Sequence, residues 1–380
     1  MPSELRTYFE ARSTPMLALL ADLVQIESPT PDKSAVDRMG ARVRTELESL
    51  GADITTHLRT EVGDILEARW NTSAEGRPLL FLCHMDTVHP LGALARSPIR
   101  SEEGRFYGPG SYDMKGGIVA LLEALRGLID RTELPDRPIH ALFTSDEETG
   151  SRHSQALIEE HAQGAALAGV LEPATPTGCL KTWRKTVGMY RVRATGRASH
   201  AGAAPEAGIN AIEEIAHQTL ALQAMNDLSA GTSVTVSQVQ GGTASNVVPE
   251  HCEISVDIRA MTVSEMQRMQ AAMNSLRTRV IGATLEVSGG FDRPPLVRDE
   301  RMIATFEQAR AIAARHGITL REDGTGGASD GNFTAALGTP TLDGLGPTGD
   351  GAHSEREHIV IQSLPRSAAV LAALIREWVV

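Results

Sequence analysis

The run Ile139-His140-Ala141-Leu142-Phe143-Thr144 is followed, after Ser145, by three acids in a row, Asp146, Glu147 and Glu148. A short apolar run bounded by polar residues reads as a buried strand. Like charges crowded at a strand end repel one another, so a fold that keeps them there must have a use for them. The pattern recurs. Leu79–Cys83 runs into His84-Met85-Asp86, and Ala168–Leu171 runs into Glu172. Open α/β sheets bind their ligands beyond the C-terminal ends of their strands. A chain in which three buried strands end in acids or histidine is therefore expected to gather those ends at one edge of a sheet.

The intervening segments supply the helices. Residues 3–26 and 33–50 show helical apolar periodicity, with Gly51 as a C-cap, and helices are predicted over Met114–Ile129 and Ser151–His161. Strands are predicted at Ile65–Trp70, Leu79–Cys83, His140–Thr144 and Ala168–Leu171. Strands alternating with helices imply an α/β layer structure with a largely parallel sheet. The grammar changes near residue 179. Val187–Ala194, Thr232–Gln240 and His251–Arg259 alternate, helices are predicted at Glu206–Met225 and Val263–Ile281, and Ala283–Ser288 is a further strand. This β-α-β-β-α-β order is that of a ferredoxin-like sandwich. After Pro294-Pro295 the first pattern resumes, with helices at Glu300–His316 and Ser363–Val380. The expected fold class is α/β, with a larger α/β/α domain in two parts, residues 1–186 and 294–380, and an inserted ferredoxin-like α+β domain over 187–293.

A formal net charge of -12 over 380 residues argues against nucleic acid as a partner, but a local cationic pocket in an acidic protein still suits an anionic substrate. Three cysteines without CxxC spacing make a disulfide framework unexpected. The N-terminal stretch lacks the basic and apolar regions of a leader, and no run approaches the roughly 20 apolar residues of a membrane span. A cytoplasmic protein with no membrane partner is expected.

Histidine and carboxylate together are the donor set of borderline divalent metals. His84 and Asp86 form an HxD pair, in which the Asp can orient the ring. Asp113 lies in the glycine-rich Tyr107-Gly108-Pro109-Gly110-Ser111-Tyr112-Asp113-Met114-Lys115-Gly116-Gly117. It suits a helix N-cap, and equally a carboxylate whose two oxygens serve two metals. Of Glu147 and Glu148, one can ligate while the other takes a proton from water. Glu172 ends its own strand, and His353 lies in Gly349-Asp350-Gly351-Ala352-His353-Ser354-Glu355. In combination these residues point to a two-metal hydrolase.

The motifs His84-Met85-Asp86-Thr87-Val88, Gly108–Gly117 and Ser145–Glu148 resemble those of the co-catalytic zinc metallopeptidases, the family that includes carboxypeptidase G, acetylornithine deacetylase, succinyl-diaminopimelate desuccinylase and aminoacylase. The likeness spans essentially the whole chain. It implies Asp113 as a bridging ligand, His84 and Glu172 completing one zinc site, and Glu148 and His353 the other. It implies Glu147 as general base, Asp86 as the residue holding His84, and a cis peptide at Asp113-Met114. Co2+ or Mn2+ would substitute for the two Zn2+. The stretch Gly196–Glu206 is similar to the lid signature of the glutamate carboxypeptidase branch. That implies His200 as a stabiliser of the scissile carbonyl, Asn246 and Arg259 as contacts to a substrate carboxylate, Lys181 and Arg293 as further basic contacts, and a homodimer through the lid. The implied activity is cleavage of the amide bond to a C-terminal amino acid, glutamate foremost, in a small substrate with a free carboxylate. The alternatives are an N-acyl-amino-acid deacylase of the acetylornithine deacetylase or aminoacylase type, and a noncatalytic metal-binding homologue. A Mg2+ phosphohydrolase is disfavoured by histidine at two ligand positions.

Overall fold

The computed structural model describes residues 4–379. The chain forms two compact units. The larger combines Met1–Thr182, Arg298–Gly324 and Ser329–Val380, and the smaller combines Trp183–Val297 with Thr325–Ala328. Among the described residues no helix is long and apolar enough to cross a membrane.

The main sheet has eight strands in the order Asp53–His57, Ile65–Trp70, Ile139–Thr144, Leu79–His84, Leu167–Val170, Thr341–Asp343, Leu180–Arg184, Glu322–Thr325. Its centre is parallel: Leu79–His84 pairs in parallel with both Ile139–Thr144 and Leu167–Val170, and the latter pairs in parallel with Thr341–Asp343. Every residue of Leu79–His84 is buried, as expected of a strand covered on both faces. One face carries the large core, in which helices Ser13–Gln25, Gly116–Asp130 and Ser363–Glu377 meet Phe81, Ala141 and Phe143. The other carries a smaller core, where Leu157 and Ile158 of helix Gln155–Ala162 cover Leu80, Leu82 and Leu142. A separate four-stranded sheet, Gly349–Asp350, His358–Val360, Arg105–Tyr107 and Arg100–Glu102, brings the C-terminal hairpin beside the segment that leads to Asp113.

The smaller unit has the order β-α-β-β-α-β: Thr186–Thr195, Ala211–Gln223, Ser233–Gly241, His251–Ala260, Val263–Asn274, Thr284–Arg293. Its antiparallel sheet follows the order Ser233–Gly241, His251–Ala260, Thr186–Thr195, Thr284–Arg293. Cys252, Ile254, Val256, Ile258 and Ala260 alternate inward, and the first four form its core with Ile215, Leu222, Met269 and Met273 of the two helices.

Several predicted helices differ in extent. The N-terminal one is two helices, Glu4–Ala11 and Ser13–Gln25, which meet at Arg12. Pro15 sits in the first turn of the second, where a missing N–H costs nothing but continuation from before is disfavoured. The helix predicted from Glu206 begins at Ala211. Pro205–Ala207 is a separate 3-10 turn, and the Asn210 side chain caps Ile212 and Glu213. The helix from Val263 stops at Asn274 rather than Ile281.

Helix Gly116–Asp130 passes so close to the end of strand Leu167–Val170 that a Cβ on Gly117 would lie 1.9 Å from the Leu171 carbonyl oxygen. That contact is with backbone and cannot relax by rotating a side chain. Gly117→Ala is therefore expected to destabilise the protein by about 1–3 kcal/mol, read as a lowered denaturant midpoint at unchanged m-value. A midpoint equal to that of the parent would show that the helix is free to shift.

Candidate metal centre

The parallel register assembles the cluster. His84 is level with Thr144, and Leu82 with Val170. The residues that follow, Asp86, Glu147, Glu148 and Glu172, therefore emerge at one sheet edge. Asp113 comes to the same place from Ser111–Lys115, just ahead of helix Gly116–Asp130, and the Asp113-Met114 peptide is cis. Asp113 does not serve as a helix cap: Lys115 stands at the N-cap of helix Gly116–Asp130, and no side chain caps it. His353 arrives on the C-terminal hairpin with φ 62°, a left-handed conformation that costs a non-glycine residue energy and recurs at functional sites.

Asp113 lies between two groups of donors. Its Oδ1 is 3.1 Å from His84 Nε2, which is also 3.5 Å from Glu172 Oε1. Its Oδ2 is 3.3 Å from His353 Nε2, which is also 3.3 Å from Glu148 Oε2. One ligand-capable atom each from His84, Glu147 and Glu172 falls within 4.8 Å of the others, and the same holds for His84, Asp113 and Glu148.

The tautomer of His84 follows from its neighbours. Nδ1 is 2.9 Å from the Asp86 carbonyl, which can only accept. Nδ1 therefore carries a proton, and Nε2, the ring atom left for a metal ion, faces Asp113 and Glu172. The Asp86 carboxylate lies 3.6 Å from the same Nδ1. Its oxygens accept from the backbone N–H groups of Glu147 (3.3 Å) and Glu148 (3.2 Å) and from the Thr30 hydroxyl (2.8 Å). Asp86 thus ties the HxD turn to the acidic turn.

The electrostatics suit a cation. Burial pushes the Glu148 carboxyl up to about 7, and the Asp113 charge adds to this. The hydrogen bonds to Asp113 and Glu148 raise His353 to about 11, and burial of Asp113 is outweighed by its two histidines, which hold its carboxyl well below the usual range. A divalent ion would replace those protons. The buried Glu148 Oε1 has no hydrogen-bond donor among the described residues, and an acceptor left in that state is costly unless something positive occupies the space beside it. Imidazole and carboxylate are the donors such an ion takes.

Lys181 lies beside the cluster, its Nζ 3.9 Å from Glu172 Oε2. The other sequence-predicted residues belong to the smaller unit. There, His200 pairs with Val247, and the Ala201 N–H donates to the Asn246 carbonyl (2.9 Å), so His200 and Asn246 are held side by side. The His200 Nδ1 accepts from the N–H groups of Gly202 and Ala203, both at 3.1 Å, which leaves the proton on the exposed Nε2. Arg259 and Arg293 both pair with Val187 across the sheet. Arg259 donates from Nε and Nη2 to Asp257, each at 2.8 Å, and from Nη1 to the Gly326 carbonyl at 3.3 Å.

Sequence reasoning passed over Glu357. Its buried carboxylate accepts from the backbone N–H groups of Gly110 (2.9 Å), Tyr112 (2.9 Å) and Asp113 (3.0 Å), and lies 2.5 Å from His89 Nε2. It fixes the loop that presents Asp113. The only sequence signal was an acid four residues after His353, which reads as loop polarity. Thr30, which bonds Asp86, carried no signal at all.

A sheet edge that converges histidines and carboxylates around one shared aspartate defines a metal-dependent hydrolase of the α/β class. The chain belongs to peptidase family M20/M25/M40, whose family model matches residues 80–377. It is 33% identical over 373 residues to carboxypeptidase G2 of Pseudomonas sp. (strain RS-16), covering 95% of this chain and 89% of that protein. It is 30% identical over 326 residues to succinyl-diaminopimelate desuccinylase of Delftia acidovorans, covering 80% and 82%. Aminopeptidase PepT from Bacillus cereus ATCC 10987 has the same fold, with a TM-score of 0.77 at 23% identity, over 96% of this chain and 98% of that one. The protein is accordingly a metallopeptidase or amidohydrolase.

Removing the Glu357 carboxylate would leave three N–H groups without this acceptor, at about 1–3 kcal/mol for each of the buried two, those of Gly110 and Tyr112. Glu357→Ala is expected to lower metal affinity and kcat together. Asp86→Ala should lower metal affinity by about 10–100-fold, as loss of a group supporting the ligands does. Equilibrium dialysis against Zn2+ measures both. Unchanged affinity in Glu357→Ala would show that the Asp113 loop holds its shape alone.

Proposed function

We propose that the chain hydrolyses the amide bond to a C-terminal amino acid, glutamate foremost, using two Zn2+ for which Co2+ or Mn2+ can substitute. The observation that carries this reading is the placement of Asp113 between His84/Glu172 on one oxygen and Glu148/His353 on the other, with Glu147 beside them. Divalent ions held there would acidify water and polarise the scissile carbonyl. Glu147, whose turn Asp86 anchors, accepts a proton from the attacking water and passes it to the leaving nitrogen. His200 offers an Nε2–H to the developing oxyanion, an interaction commonly worth about 3–4 kcal/mol.

The substrate carboxylate is assigned to Arg259 and Asn246. Arg259 has five N–H donors; after Asp257 and Gly326 are served, a pair remains for a ligand, and Asp257 fixes the plane of the fork. Lys181 and Arg293 are assigned to a side-chain carboxylate. In a chain of net charge -12, such a set of cations is suited to a dianionic amino acid. The relative at 33% identity, carboxypeptidase G2, supports the carboxypeptidase reading. A second reading, an N-acyl-amino-acid deacylase or desuccinylase, draws on the relative at 30%.

The residue ranges 187–293 for a lid or dimerisation domain and 1–186 with 294–380 for the catalytic domain are part of the same proposal. A homodimer through the smaller unit is supported by its edge strand Ser233–Gly241, where Val239 is 67% exposed, and by Leu220 at 72% on the adjoining helix. The three buried, unpaired cysteines fit a reducing compartment such as the cytoplasm.

Glu147→Ala is expected to reduce kcat by about 10²–10⁴-fold or more while metal content is retained. Near-normal kcat would move the proton transfer to another residue. N-acyl-glutamates should exceed the matching glutamine amides, by up to about 10⁴-fold where a charged partner is lost. Arg259→Ala should lower kcat/KM for every substrate with a free carboxylate. Equal kcat/KM for N-acyl-glutamate and N-acyl-alanine would remove the glutamate assignment and leave the hydrolase standing.

A further inference from the structure

A second cluster of metal-ligating side chains lies within the larger unit, away from the catalytic edge. Glu67 on strand Ile65–Trp70, His140 on Ile139–Thr144 and His161 on helix Gln155–Ala162 each bring a donor atom within 4.8 Å of the others. Register explains the convergence. Glu67 pairs with Leu142, and Leu142 faces the small core beneath helix Gln155–Ala162. His140, two residues from Leu142, shares that face. The flanking strand Asp53–His57 places His57 on the same face opposite Ile65, with its Nε2 2.9 Å from Glu67 Oε2. His140 stands four residues before Thr144, about 13 Å along the strand from the end that carries Glu147 and Glu148.

We propose that Glu67, His140 and His161 form a structural site for a zinc-class divalent cation, with His57 hydrogen-bonded to Glu67 behind it. Tetrahedral zinc with bonds of about 2.0–2.2 Å sets its donors about 3.3–3.5 Å apart. His161 Nε2 and Glu67 Oε1 are 3.3 Å apart. Burial lowers both His140 and His161, so their imidazoles are neutral and have lone pairs to give. Burial pushes the Glu67 carboxyl up, but bonds from Arg69 and His57 outweigh it and bring it to about 2, so it is ionised. Two neutral imidazoles and a carboxylate are donors that zinc accepts.

The surrounding charges admit the ion. Arg69 Nε donates to Glu67 Oε1, and its positive charge is felt by both histidines. Arg69 is itself set among carboxylates: Asp53 is its direct partner across the strands, and Asp53 and Glu160 both act on its charge. Three carboxylates against one guanidinium leave an excess of two negative charges around the histidines, which one divalent ion balances. A carboxylate has about four lone-pair positions, so Glu67 can keep Arg69 and still give a pair to the cation. Bound there, the ion would tie the outer hairpin, the central sheet and helix Gln155–Ala162 together.

The test is stoichiometry. Apo protein prepared with chelator is dialysed against Zn2+ and analysed for metal per chain, in the parent, in His140→Gln/His161→Gln and in the isosteric Glu67→Gln. Both variants are expected to hold one equivalent fewer than the parent while kcat/KM, measured on the same samples, stays within about twofold. Because the metal readout is a difference, it does not depend on how many ions the catalytic cluster binds. A Zn2+-dependent rise in Tm should also shrink in the variants. The same number of equivalents in the parent and in an active variant overturns the proposal.

Discussion

The parallel register of three strands carries the rest of the molecule. Setting His84 level with Thr144, and Leu82 level with Val170, delivers one histidine and four acids to a single sheet edge. A slip of one residue would turn each of these side chains to the opposite face. The register is secured by burial: Leu79–His84 and the residues beside it are enclosed on both faces, so a slip would expose apolar surface along three strands at once.

Crowded carboxylates are tolerable only with fixed positive partners. Two acids that face no donor pocket supply the scaffolding by accepting from backbone N–H groups. Asp86 takes those of Glu147 and Glu148, and Glu357 takes those of Gly110, Tyr112 and Asp113. Both are enclosed, and hydrogen bonds from several amides stabilise a carboxylate's charge. The negative charge of the donors is thus held in shape by further negative charge, each paired with main-chain dipoles. Such an arrangement prefers a cation at its centre to any rearrangement of its walls.

The α/β class, the ferredoxin-like unit and the convergence of strand-end acids were legible in the sequence because long periodic segments and buried runs declare themselves. Short pieces were not. Asp53–His57 carries too little apolar alternation, and Thr341–Asp343 is too brief to register. Helix ends failed where local chemistry decides them: Pro15 divides the first helix, and Asn210 sets the start of another after a proline turn. Within the metal centre, types and order were readable, since donors at strand ends follow from pattern. The supports were not. Glu357 acts on a loop 244 residues away, and Thr30 on a side chain 56 residues away, so nothing local marks either. The attachment of His84 to the Asp86 main chain is likewise invisible to a reading of side-chain types.

The hairpin with His353 and Glu357 comes from the last tenth of the chain, whereas Asp113 and His84 come from the first third. Synthesis runs from the N-terminus. While most of the protein is already made, Asp113 has neither its second histidine nor the carboxylate that shapes its loop. A nascent chain on the ribosome therefore carries an incomplete centre, whatever its remaining parts have folded into. Competence for hydrolysis arrives as a late, single event, after the smaller unit has been made and the C-terminal hairpin has docked.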